Sequence, residues 1–137
     1  RVPETIAHLH YWSIQMTRPA DKDEVLDALR SSSRILLMKD EYSLDALNAV
    51  KELMADRGRS RSDLYEVALW ADMLKVQGDE LFYAYMVDNQ AIVVPETIDA
   101  IRALDGRETS GRRSIAATDL AMGIEGCLFA EAGPRTT

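Results

Sequence analysis

Apolar and polar positions alternate from Ile6 to Met16. Ile6, His8, His10, Trp12, Ile14 and Met16 fall on one side, and Ala7, Leu9, Tyr11, Ser13 and Gln15 on the other. A period of two predicts a strand with one largely apolar face, and both histidines share it. Pro19 breaks that strand, Asp21 caps a helix with Glu24 three residues on, and Val25, Leu26 and Leu29 recur at helical spacing, which predicts a helix over 21–31. Arg34 to Lys39 (RILLMK) is short and apolar and reads as a second, buried strand. Ser43 is expected to open the next helix, with Leu44, Leu47, Val50, Leu53 and Met54 on one stripe and Gly58 as its left-handed stop.

Beyond it, residues 57–63 (RGRSRSD) read as a polar loop carrying Arg57, Arg59 and Arg61, either solvated or forming a local anion site. Tyr65–Trp70 and Leu81–Val87 flank Gln77-Gly78-Asp79-Glu80, and aromatic and β-branched residues around a glycine turn predict a β-hairpin. Pro95 is placed at a first helical position, with Ile98, Ile101 and Leu104 as the buried stripe and Gly106 as the stop. Residues 108–113 read as a linker, Ser114 as the cap of a last helix through Met122, and Gly123 as its end. Strand, helix, strand, helix, hairpin, helix, helix predicts an α+β domain over 1–125, with a mixed, mainly antiparallel sheet covered by helices on one face and a frayed tail over 126–137.

Composition narrows the function classes. With 137 residues, one domain can bury roughly two thirds of its unfolded surface. Sixteen basic against 23 acidic side chains give a net charge of −7, which argues against nucleic acid as the main partner and requires any anion site to be local. No stretch approaches the length of a membrane span and no signal peptide pattern opens the chain, so a cytoplasmic protein is expected. The first residue is Arg1 and not Met, and the expectation is a chain that begins mid-protein. The isolated glycines form no dinucleotide fingerprint or phosphate loop.

Thr5 to His10 (TIAHLH) is the most informative chemical stretch, because its two histidines are the only ones present. On a strand they project to one side, about 6.5–7 Å apart along the chain. One can act as a general base or orient a nucleophile, the pair can begin a metal site, or both can be structural. Cys127, the single cysteine, follows Gly126 without a neighbouring histidine and reads as inert. Val87-Asp88-Asn89-Gln90 ends the second hairpin strand, where amide groups suit recognition of a carboxamide or a sugar hydroxyl, or simply make a polar turn.

RVPETIAHLH, RILLMKDE, DRGRSRSDLYEVALW, IVVPETIDAIRAL and AATDLAMGI, in this order and spacing, resemble the C-terminal half of archaeal-type phosphorylating glyceraldehyde-3-phosphate dehydrogenases over residues 1 to about 125. The resemblance implies a catalytic domain that joins a Rossmann domain, a homotetramer, and NAD or NADP as cofactor. It implies oxidation of glyceraldehyde 3-phosphate with inorganic phosphate to 1,3-bisphosphoglycerate through a cysteine thioester. It assigns the histidine that activates the cysteine to His8 or His10, with His8 preferred, and the amide that contacts the nicotinamide to Asn89. Archaeal members more usually carry His-Gln-Glu-Ser where this chain has Asp88-Asn89-Gln90-Ala91, so the amide is kept but one methylene shorter. The family's cysteine is expected upstream of Arg1, which makes the 137 residues alone inactive, and Cys127 lies too late to replace it. Two other readings stand beside this one: a non-catalytic α+β dimerisation or small-ligand-binding module, and a related semialdehyde dehydrogenase.

Overall fold

The computed structural model describes residues 7–126. The chain runs β1 (Ala7–Gln15), α1 (Lys22–Arg30), β2 (Ile35–Met38), α2 (Leu47–Asp56), β3 (Val67–Trp70), β4 (Lys75–Gln77), β5 (Glu80–Asp88), α3 (Val93–Leu104) and α4 (Gly111–Met122). The five strands form one sheet in the order β1-β5-β3-β2, with β4 also paired to β5. β5 runs antiparallel to β1, β3 and β4, and only β2 and β3 are parallel. The α+β class and the mainly antiparallel mixed sheet are as the sequence predicts.

Alternation along the strands separates two cores. Leu36, Met38, Ala68, Trp70, Ala84 and Met86 pack with Val50 and Met54 of α2. On the opposite face, Leu37 and Leu69 pack with Leu26 of α1 and with Leu74. The helices are therefore divided between both faces and not gathered on one. The cause is visible in β2 and β3, which are short, apolar at successive positions and buried on both sides. On β1 the residues turned to the α2 core are Ala7 and Leu9, so the histidine-bearing set lies on the other face.

Several boundaries move for local reasons. Ser43 does not open α2: it sits in the left-handed region at φ 54° and closes a single 3-10 turn, Asp40–Tyr42. The carbonyl of Leu44 accepts a 2.8 Å bond from the Trp70 indole, and α2 starts only at Leu47. The glycine turn is flanked by the short β4, so β3 reaches β5 as a third strand and not as the hairpin's own arm. Pro95 is the third residue of α3 and not the first, a position the proline tolerates because first-turn N–H groups have no partner within the helix. Ser114 lies inside α4, which begins at Gly111.

Two expectations about burial also change. Ile101 and Leu104 are 61% and 89% exposed, so the α3 stripe is not buried. α3 and α4 are instead fastened by polar groups. Asp99 accepts hydrogen bonds from Ser114 (2.6 Å), Thr118 (2.7 Å) and Arg102 (3.1 Å). Arg34, at the entrance to β2, reaches Asp119, Asp99 and Glu96. The 57–63 loop is not a solvated run either. Arg59 is almost fully buried and makes two 2.6 Å bonds to the fully buried Glu66, while Arg57 pairs with Glu125 and Arg61 with Asp63. Gly126, the last described residue, is buried against Ser33, and Cys127 with the rest of the expected tail lies outside the described residues.

Candidate active site

β1 is an edge strand, and its register with β5 fixes where the histidines stand. His8 is opposite Val87 and His10 opposite Tyr85. The His10 ring stacks on Tyr85 with centroids 4.8 Å apart and planes 7° from parallel. His8 meets His10 edge-on at 5.9 Å, and Tyr83 continues the ladder beyond Tyr85. His10 is half-buried and held by its stack, whereas His8 is exposed. The structure thus brings the two histidines together and leaves the outer one open to a group arriving from outside the described residues. Among those residues no three His, Cys, Asp or Glu side chains come together as metal ligands.

Asn89 lies two residues beyond Val87, the partner of His8, so the amide and the histidine pair belong to the same end of the sheet. They do not share one cavity. A cleft of about 290 Å³ is lined by Lys51 of α2, by Arg61, Ser62 and Asp63 from the loop before β3, and by Asp88, Asn89 and Gln90 at the end of β5. Neither histidine lines it. Asp88 alternates with Ala84 and Met86 and so belongs to the α2 face, the opposite one from His8 and His10.

The cleft is organised by paired charges. Asp88 is buried, and its carboxylate accepts hydrogen bonds from the Gln90 and Ala91 N–H groups, each 2.9 Å, and from the Lys51 ammonium. Burial pushes its pKa up, but the Ala91 N–H, Lys51 and the Gln90 N–H together outweigh it and hold the carboxyl below the usual range. Arg61 and Ser62 both have φ 57°, a conformation that costs non-glycine residues roughly 1–2 kcal/mol each. Arg61 keeps most of its guanidinium in solvent while bonding Asp63 at 3.1 Å.

Comparison with curated proteins shows what this chain is similar to. The chain is 40% identical over 122 residues to a glyceraldehyde-3-phosphate dehydrogenase of Metallosphaera sedula, covering 89% of this chain and 36% of that one. It is 39% identical over 123 residues to the enzyme of that name from Methanobrevibacter smithii, covering 90% and 36%. It is 36% identical over 124 residues to that of Halobacterium salinarum, covering 90% and 37%. Over about nine tenths of its length the chain is similar to one region of archaeal glyceraldehyde-3-phosphate dehydrogenases. It spans a little over a third of the length of the curated relatives it matches. No protein-family model matches it.

Within this dehydrogenase-like region, sequence reasoning singles out His8, His10 and Asn89 but misses Lys51. Nothing marks Lys51 in the sequence, because it is one polar residue on an amphipathic helix whose partner lies 37 positions away. The Val87–Gln90 stretch is the signal that finds the other half of the pair.

Proposed function

We propose that the chain is the C-terminal, histidine-bearing part of a phosphorylating glyceraldehyde-3-phosphate dehydrogenase. The observation that carries the reading is identity of 36–40% to archaeal enzymes of that name across about nine tenths of the chain, joined to an exposed histidine at one end of the sheet. The substrates are glyceraldehyde 3-phosphate and inorganic phosphate, the product 1,3-bisphosphoglycerate, and the assembly a cytoplasmic homotetramer. Tyr11 and Trp12, 69% and 49% exposed on edge strand β1, offer apolar surface that such an assembly would cover.

The residues at the end of β5 fit NAD or NADP in their donor and acceptor chemistry. A carboxamide such as that of Asn89 can donate to and accept from the nicotinamide carboxamide, and a cleft near 300 Å³ is at the small end of ligand sites. The bound dinucleotide supplies the acceptor for hydride.

His8 does the proton chemistry. Its imidazole takes the proton of a cysteine thiol brought by the remainder of the enzyme, leaving a thiolate and an imidazolium. The thiolate adds to the aldehyde carbon, and the imidazolium returns the proton to the resulting oxyanion. Neutral His8 then accepts that hydroxyl proton as hydride departs, which leaves a thioester for phosphate to cleave. His10, stacked on Tyr85, is a positioning residue that backs the His8 ring. The 137 residues alone carry only Cys127 and are inactive on this reading.

The experiment is an assay of the longer protein carrying this chain, with NAD and with NADP, with and without inorganic phosphate. Reduction that needs both glyceraldehyde 3-phosphate and phosphate is the expected result. Turnover of a semialdehyde in preference to glyceraldehyde 3-phosphate, or no turnover of any aldehyde, would overturn the assignment.

A further inference from the structure

Asp88 binds more than its place at a strand end requires. One carboxylate oxygen accepts the N–H groups of Gln90 and Ala91, and the Asp88 carbonyl accepts that of Ile92, so the residue holds the three positions that follow Asn89. Its other oxygen takes the ammonium of Lys51, which α2 delivers almost buried. A surface turn of this type needs only a short neutral side chain such as Asn. A buried ion pair is a costly substitute, and its use calls for a reason beyond closing the turn.

We propose that Asp88 and Lys51 are a positioning pair that fixes the direction of the Asn89 amide toward the nicotinamide dinucleotide. The proposal rests on the assignment of Asn89 to the cofactor made above. Three anchors set that direction. β5 is locked to β1 through Val87 and His8, the turn is clamped by the Asp88 carboxylate, and the carboxylate is tied to α2 by Lys51. Releasing the carboxylate clamp or its tie to α2 turns Asn89 relative to the histidine ladder without touching His8 itself. The same pair lines the cleft that holds Asn89 and Gln90, so its charge also acts on whatever lies there.

The test uses the longer protein and measures Kd for NAD, NADP and their reduced forms by fluorescence titration, beside amide hydrogen exchange at Gln90 and Ala91. Asp88→Ala is expected to weaken dinucleotide binding about tenfold or more and to speed exchange at both amides. Asp88→Asn keeps an oxygen for the two N–H groups and is expected to recover most of the exchange protection and part of the affinity. Lys51→Met is expected to fall between them. Leu26→Ala, which destabilises the separate core on the opposite face of the sheet, serves as the control and should leave Kd at the wild-type value. Wild-type affinity in Asp88→Ala, or a loss no larger than that of Leu26→Ala, overturns the positioning role. If the wild-type protein binds neither dinucleotide, the cofactor assignment of Asn89 fails and the positioning role with it. Fast exchange in Asp88→Ala alone would then show that the pair only closes the turn.

Discussion

The sheet with α2 and the α3–α4 pair are fastened by opposite kinds of chemistry. Between α2 and the strands, Leu36, Met38, Val50, Met54, Ala68 and Met86 are fully buried and wholly apolar. Between α3 and α4 the buried groups are Ser114, Thr118 and Asp119, tied through Asp99 to Arg34 and Arg102, while Ile101, Leu104 and Leu120 face outward. Apolar burial is non-directional and tolerates small shifts, whereas a charge network holds only with every partner in place. The difference teaches that the half carrying His8 and Asp88 has its own rigid support, and the two C-terminal helices are docked onto it.

The largest effect separating the two regions is expected from Leu36→Ala, at about 2–5 kcal/mol. Urea unfolding should show the loss as a shift of the whole transition, since Leu36 sits where β2 meets α2. Asp99→Ala comes next, at about 1–3 kcal/mol, because Arg34 and Arg102 lose an acceptor at a half-buried site. Hydrogen exchange should show α3 and α4 opening before the sheet.

Asp99 also gives the polar region an acid sensitivity. Burial raises its pKa, but bonds from Ser114, Thr118 and Arg34 outweigh this and hold it below the ordinary value. The folded state therefore binds fewer protons than the unfolded one in that window. The contribution is fully present above about pH 4 and is lost as pH falls through the lower folded value. Melting temperature should fall on acidification, less steeply in Asp99→Asn. The smallest effect is expected at Leu104, 89% exposed, where Leu104→Ser should change stability by no more than about 0.5 kcal/mol. A cost near that of Leu36→Ala would erase the contrast.

What the sequence shows follows the same division. Period-two and period-3.6 patterns read β1, α1 and β2 correctly because local alternation and spacing specify them without a distant polar partner. The Asp21 cap is also legible, its carboxylate accepting the Glu24 N–H at 2.8 Å as the local pattern predicts. Failures fall where a polar residue has a distant partner. Arg59 with Glu66, Arg34 with Asp119 and Lys51 with Asp88 leave no periodic trace, so the loop reads as solvated and α3 as apolar-packed. For the candidate site, TIAHLH and the Asp88–Gln90 turn stand out by composition. The placement of His8 and His10 on one face and of Asp88 on the other depends on the register of β1 with β5, which local pattern does not specify.

The central claim is that His8 is the proton-transferring residue of a phosphorylating aldehyde dehydrogenase. Its most direct test is kcat/KM for phosphate-dependent dinucleotide reduction by the longer protein, measured across pH in wild type, His8→Ala and His10→Ala. The account predicts a loss of about 10²–10⁴-fold in His8→Ala and a much smaller loss in His10→Ala. Retention of wild-type kcat/KM in His8→Ala would contradict it.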